Sequence, residues 1–201
     1  MPPLTPDLPL IEVSSRAAWR AWLISHADSS RGVWAVTVKK SALEPGEEYV
    51  SARDVNEECL CVGWIDSKPG RIDERHTALL CTPRKPGSGW SKVNKERLAP
   101  LIEAGLVTPR GLASIAAAKA DGSWSKLDEV DALVVPDDLA NALDSIQDAR
   151  RNFDAFPPSA RRGILEWIQN AQRAETRHKR VAETAELAGQ NRRALQWPRT
   201  Q

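Results

Sequence analysis

Cys81-Thr82-Pro83-Arg84-Lys85-Pro86-Gly87-Ser88-Gly89-Trp90-Ser91-Lys92-Val93-Asn94-Lys95-Glu96-Arg97 joins a strand to a helix, and the rest of the chain is read from that junction. Two prolines and two glycines between positions 83 and 89 stop an extended run. Ser91 then has the hydroxyl that caps a helix N-terminus, and Leu98, Leu101 and Ile102 fall on one helical face as far as Gly105. Five cations (Arg84, Lys85, Lys92, Lys95, Arg97) stand against Glu96 alone, in a chain whose formal net charge is only +1.

Upstream of the junction the texture alternates between strand and helix. Val33-Trp34-Ala35-Val36-Thr37-Val38 is β-branched and aromatic, and reads as a central strand. Residues 64–68 read as a strand, Pro69-Gly70 as a turn, and residues 71–82 as the returning strand of a hairpin. Residues 8–13 read as a short edge strand. Ser14 or Ser15 opens a helix to about residue 26, with Ala18, Trp19, Trp22 and Leu23 on one face. Ser51 with Asp54 forms a capping box for a helix over 52–61, whose inner face carries Val55, Cys59 and Val62.

Downstream, Thr108-Pro109 is an N-cap followed by an N1 proline, and starts a helix to about 120 with Leu112, Ile115 and Ala116 inward. From Ser123 strand signals end. Short helices are expected from 136 to 143 and from 147 to 156, followed by one capped by Pro157-Pro158-Ser159. That helix bears Ile164, Trp167, Ile168 and Ala171 at i, i+3, i+4, i+7. A last helix over about 175–187 has a thin apolar face and reads as a surface or docking helix. The expected fold is α+β, a small, mostly antiparallel sheet with packed helices followed by an all-helical part. The expected division is an extended lead-in (1–13), an α+β domain (14–122), a helical region (123–189) and a tail (190–201).

Composition narrows the function classes. With 41% hydrophobic and 27% charged residues the chain is an ordinary globular protein. Its near-zero net charge gives no global field toward nucleic acid or membrane, so any electrostatic role is local. Eight tryptophans against one tyrosine are mostly core anchors. No leader pattern precedes residue 8, no run is long enough to span a membrane, and three cysteines suit free thiols in a reducing compartment. Together these make the cytoplasm the expected location. Cys59, Cys61 and Cys81 lack the paired spacing of a zinc site, and no P-loop, dinucleotide fingerprint or nucleophile elbow is present, so neither metal nor cofactor is expected.

The best candidate site is the loop over 84–94 together with the preceding strand. Gly87 and Gly89 let backbone N–H groups turn inward around Ser88, and Ser91 presents a helix N-terminus, as in an anion-binding nest. Arg84, Lys92 and Arg97 add charge-assisted donors, Trp90 adds a stacking surface, and Asn94 an orienting amide. Trp64 and Asp66 form the facing strand wall. The blander reading makes the loop a turn, Trp90 a core residue and Arg84 the ion-pair partner of Asp66. Asp66 is also a candidate general base, which would make the chain a small enzyme. The basic run over 173–180, with Arg177, Lys179 and Arg180, allows nucleic-acid binding in concert with residues 84–97, or a solvated face with pairs such as Glu175–Lys179.

Several longer motifs carry a family resemblance. Gly63-Trp64-Ile65-Asp66, the run from Thr82 to Asn94, Thr108-Pro109-Arg110-Gly111-Leu112, Ser159-Ala160-Arg161-Arg162 with Trp167-Ile168, and Glu175-Thr176-Arg177 appear in this order. Over residues 18–189 the chain resembles the bacterial YdeI/OmpD-associated (OmdA-type) proteins. It departs from them at Gln172 and Ala174, where the family has lysine and proline. The resemblance implies a bacterial protein of the bacteriocin-protection kind, linked to envelope stress and antimicrobial-peptide tolerance. It implies no reaction and no catalytic residue. The expected role is therefore a non-enzymatic tolerance factor that binds a small anionic ligand or a protein partner at residues 84–94.

Overall fold

The computed structural model describes residues 7–195. The first six residues of the expected lead-in and the end of the expected tail, Trp197 included, lie outside the described residues. The chain forms two compact units, divided between Ser125 and Lys126.

The first unit is built on a four-stranded sheet in the order β1-β2-β4-β3. Strand β1 (Leu10–Glu12) runs parallel to β2 (Val33–Val38), which pairs antiparallel with β4 (His76–Pro83), which pairs antiparallel with β3 (Trp64–Arg71). The α+β class and the interior place of β2 agree with the sequence reading.

The hairpin turn does not. Pro69 and Gly70 lie inside β3, opposite Leu79 and Ala78, just past an irregularity in register between Asp66 and Pro69. Proline is tolerated there because β3 is an outer strand and the bulge removes the need for its missing N–H. The turn is made instead by Asp73, whose Oδ1 accepts the backbone N–H of Arg75 at 2.8 Å and of His76 at 2.6 Å.

Helix α1 (Arg16–His26) begins where the Ser15 hydroxyl accepts the N–H of Ala18. It buries Trp19 and Leu23, while Ala18 stays exposed. Helix α2 (Ala52–Cys61) has the complete Ser51–Asp54 capping box. It is enclosed on all sides from Val55 to Cys61, so Asn56, Glu57 and Glu58 are buried along with the expected Val55 and Cys59. Helix α3 (Lys92–Glu103) is capped by Ser91 and closes at Gly105, which adopts φ +68°. Its Leu98 and Leu101 are buried, but Ile102 is exposed.

Helix α4 (Pro109–Ala120) starts at the Thr108 cap as expected, but its buried face is rotated. Gly111, Ile115 and Ala118 point inward, whereas Leu112 and Ala116 are exposed. The reason is a close approach between α4 and the end of α2. A Cβ at Gly111 would sit 2.3 Å from the Cys61 carbonyl oxygen. The helix can come this near only on its glycine side, and that contact fixes the phase.

The second unit is all helix: α5 (Asp128–Asp131), α6 (Asp137–Asp144), α7 (Ala149–Ala155), α8 (Pro158–Gln169) and α9 (Ala174–Gly189). Leu139, Leu143, Phe153, Ile164, Leu165 and Ile168 form its core. Helix α9 packs against α6, α7 and α8, so of the expected surface or docking roles the structure rules against a mere surface helix. Its inward residues Val181, Thr184, Ala185 and Ala188 are small, so a thin apolar stripe here means close packing. Burial continues past the expected start of the tail, since Ala194 is in the same core.

Candidate functional site

Proline 86 and Gly87 occupy the centre of a turn closed by the Ser88 N–H on the Lys85 carbonyl at 3.2 Å. Gly87 has φ +73°, the left-handed value a type II turn needs at that position. The Arg84 side chain folds back under this turn. One guanidinium nitrogen, Nη2, donates to the Gly89 carbonyl at 2.7 Å and reaches that of Ser88 at 3.5 Å. The guanidinium carbon lies 3.7 Å from the centroid of the Trp90 ring, a close cation–π stack.

Trp90 itself is 1% exposed and packs with Leu98, Leu101, Ile115 and Ala118. It is a core residue, as the blander reading held, with Arg84 stacked on its ring and Trp124 against it. The second half of that reading fails, because Arg84 does not pair with Asp66. The Asp66 carboxylate accepts from the Asn56 amide at 2.5 Å instead. The same amide reaches Asn94 Oδ1 at 3.3 Å, and Asn56 Oδ1 accepts from Arg97 at 2.8 Å. Asn56, from α2, thus collects Asp66, Asn94 and Arg97 into one hydrogen-bonded set.

Arg84 is left with backbone carbonyls, an aromatic ring and no carboxylate within ion-pair distance among the described residues. Burial with no opposing charge pulls its guanidinium down to about 10.

The residues proposed from sequence therefore separate. Arg84, Ser88 and Trp90 line a cavity of about 260 Å³, together with Gly63, Arg110, Ser114, Asp121 and Ser123. Asp66, Asn94 and Arg97 belong to the Asn56 set. Trp64 is fully buried on the sheet, and its Nε1 donates to the Ala27 carbonyl at 3.2 Å. Lys92 is exposed and lies 3.8 Å from Glu96, one helical turn on. Ser91 is spent on capping α3, its hydroxyl accepting the Asn94 N–H at 3.4 Å. Neither Ser91 nor Lys92 lines the cavity, so its helical wall is α4, from Arg110 through Ser114 to Ala118, not the N-terminus of α3.

Sequence reasoning missed Arg110, Ser114, Asp121 and Ser123. Arg110 donates from Nε to Asp28 at 2.7 Å and from Nη1 to the Val62 carbonyl, so its charge is matched. Arg110 stands in the Thr108–Leu112 motif but with no role assigned there, and no local signal marks the other three, because α4 is brought beside the loop by tertiary packing, with Gly111 against Cys61 and Gly63 against Ser114 and Arg110.

The remaining candidates are placed as follows. In the basic run of α9, Arg177 forms a two-pronged bond to Asp138 at 2.7 and 2.9 Å. Arg180 stacks on Trp167 and donates to its carbonyl. Both are engaged inside their own unit, and no Glu175–Lys179 pair forms among the described residues. The three cysteines are buried free thiols. Burial, and then the neighbouring Cys81, push the Cys59 thiol well above the ordinary range. No cluster of three or more metal-ligand side chains occurs among the described residues, and none of their helices is long and apolar enough to cross a membrane.

Comparison with known proteins divides the chain in the same two-part manner. Residues 11–114, just over half of the chain, match the family described as a domain of unknown function, DUF8412, and the chain belongs to that family. Residues 132–191 match the family described as bacteriocin-protection, YdeI or OmpD-associated. The motifs at 63–66, 82–94 and 108–112, read above as OmdA-like, thus fall in the first family's match, and only the C-terminal motifs fall in the second. No curated protein and no solved structure gives a significant match.

Proposed function

We propose that the first unit is a binding module for a small anionic ligand, held at the Arg84 cavity, in a protein that serves stress or antimicrobial-peptide tolerance without a reaction of its own. The observation that carries the reading is Arg84. A buried cation is normally paired, because taking a charge out of water costs several kcal/mol. Arg84 has no carboxylate partner and lines a concave site with hydroxyls from Ser88 and Ser114. An anionic ligand supplies the missing charge. The tolerance role rests on the match of residues 132–191 to a family whose description names bacteriocin protection.

The test is a thermal-shift panel of inorganic phosphate, nucleotides, sugar phosphates and small carboxylates on wild type and Arg84→Met. A ligand at a hundred times its Kd stabilises the native state by about 2.7 kcal/mol. At least one anion is expected to raise the wild-type midpoint and leave that of Arg84→Met unchanged. A flat panel, or equal shifts in both proteins, would sink the proposal.

A further inference from the structure

We infer that the ligand of this cavity is a small phosphomonoester, bound as its dianion with the phosphoryl group met by Arg84, Lys85 and Ser88. This rests on the proposed anion site at Arg84 and specifies the charge and shape of the anion.

Charge sets the first requirement. The cavity is lined by Arg84, Lys85 and Arg110 against one carboxylate, Asp121. Arg110 is matched by Asp28 at 2.7 Å. Asp121 accepts the Ser123 N–H at 2.9 Å and is engaged beyond that bond, and Arg84 feels burial with no opposing charge. Arg84 and Lys85 are thus the lining cations with no carboxylate at ion-pair distance among the described residues. They are consecutive residues of one loop, with Ser88 on the same turn, so both charges come from the same wall. Lys85 is exposed and stays hydrated, so it favours a second negative charge where Arg84 demands the first. A single carboxylate supplies only one, and a dicarboxylate carries its two on separate groups.

The donors ask for the same group. Arg84 Nη2 is committed to the Gly89 carbonyl, and its Nε and Nη1 have no acceptor among the described residues. The hydroxyls of Ser88, Ser114 and Ser123 line the cavity and have no partner among the described residues either. Ser123 is the most telling, since it is 4% exposed and only its backbone N–H is bonded. A buried hydroxyl is normally paired, so this one calls for an acceptor from the cavity side. Two guanidinium donors, three hydroxyls and an ammonium are more than the two oxygens of a carboxylate can use. A phosphomonoester dianion brings three strong acceptor oxygens and nearly two charges on one group. Pro86, Ala117 and Ala118 complete the lining and suit the carbon skeleton of the alcohol. At about 260 Å³ the cavity is below the range of about 300–1,000 Å³ used by drug-sized ligands, which fits a small ester better than a nucleotide.

The experiment is titration calorimetry of the full chain with methyl phosphate, glycerol 3-phosphate and glucose 6-phosphate, each beside its sulfate ester, and with acetate and succinate. A sulfate ester keeps the tetrahedral shape but carries one charge. At about pH 8 at least one phosphate ester is expected to bind about tenfold or more tightly than its sulfate ester and than either carboxylate. Its affinity should fall about tenfold from about pH 8 to about pH 5, because the second phosphate pKa is about 6. The charged groups of the cavity are Arg84, Lys85, Arg110 with its partner Asp28, and Asp121. Histidine is the side chain that ordinarily titrates in that window and none lines the cavity, so the fall belongs to the ligand. Lys85→Gln should bring the phosphate ester down to the level of the sulfate ester, and Arg84→Met should abolish both. Ser123→Ala should weaken the phosphate ester about tenfold at an unchanged unfolding midpoint. A phosphate ester that binds no more tightly than its sulfate ester, with a flat pH profile, overturns the dianion. If a carboxylate binds through Arg84 and no phosphate ester does, the phosphomonoester is overturned and a plain anion site stands. If no anion of any kind binds, the Arg84 site itself falls.

Discussion

Arg16 and Arg84 are both partly buried arginines of the same unit, and they are treated in opposite ways. Arg16 lies between α1 and α2, in contact with Asp54 at 3.0 Å, Glu57 at 2.9 Å and Glu58 at 2.7 Å. Glu58 also accepts Arg20 at 2.8 Å with its other oxygen. Burial alone would lower the Arg16 pKa, but the hydrogen bonds and charges of Glu58 and Glu57 outweigh it and raise it. Arg84 has burial without those bonds, and its pKa falls. The matched cluster joins two helices. The unmatched cation stands beside a cavity. A buried charge whose partners are all within the chain is explained by folding, and one whose partners are missing asks for a ligand.

The strongest way to break this contrast is to remove the shared acid of the matched cluster. Glu58→Ala strands two cations, and breaking a buried pair from one side costs about 3–5 kcal/mol. Urea unfolding should show a loss of that size. A loss below about 1 kcal/mol would make the cluster a surface feature and dissolve the comparison. Gly111→Ala comes next. It drives a methyl group into the Cys61 carbonyl and Val107, so a loss of about 1–3 kcal/mol is expected, read from the shift in denaturation midpoint.

A pH series sharpens the matched side. Burial alone would raise the Asp54 carboxyl, but hydrogen bonds from Ser51 and the Arg16 charge outweigh it and hold it below its ordinary 3.8. A depressed carboxyl contributes stability that is present above the unfolded value and lost as pH falls toward the folded one. Wild type should therefore lose stability more steeply than Asp54→Asn below about pH 4. Parallel curves would show that the capping box carries no charge-linked stability.

The smallest effect belongs to the unmatched side. Arg84 is charged at neutral pH in both folded and unfolded chains, but the folded pKa is the lower one. The unfolded chain holds the proton more tightly, so the buried charge costs stability below pH 10. Arg84→Met removes that cost along with the bond to Gly89, and the net change should stay within about 1 kcal/mol of wild type. A loss as large as that of Glu58→Ala would make Arg84 a structural staple.

What the sequence made legible was local. Ser15, the Ser51–Asp54 box, Ser91 and Thr108-Pro109 all cap the helices they were expected to cap, because a cap involves residues within one turn of each other. The errors came where a distant partner decided the outcome. Pro69-Gly70 has the chemistry of a turn, but the pairing with Leu79 and Ala78 extends the strand through it and leaves the turn to Asp73. The face of α4 follows a backbone contact with α2 that no periodicity records. Asp66 and Arg84 look like natural partners in one dimension, but Asn56 arrives from α2 and takes the carboxylate. The candidate site was half legible for the same reason. Its loop residues are contiguous, whereas Arg110, Ser114 and Asp121 come from a helix that folds back onto them.

Proline 69 has a consequence beyond its own strand. An outer strand with free N–H and C=O groups is a template on which another chain can add. Here β3 lacks one N–H at Pro69, is irregular just before it, and carries exposed Lys68 and Arg71 on either side. The opposite margin, β1, is only three residues long. Neither margin offers a long, regular row for strand addition, so the make-up of the outer strands themselves protects the sheet against edge-to-edge self-association.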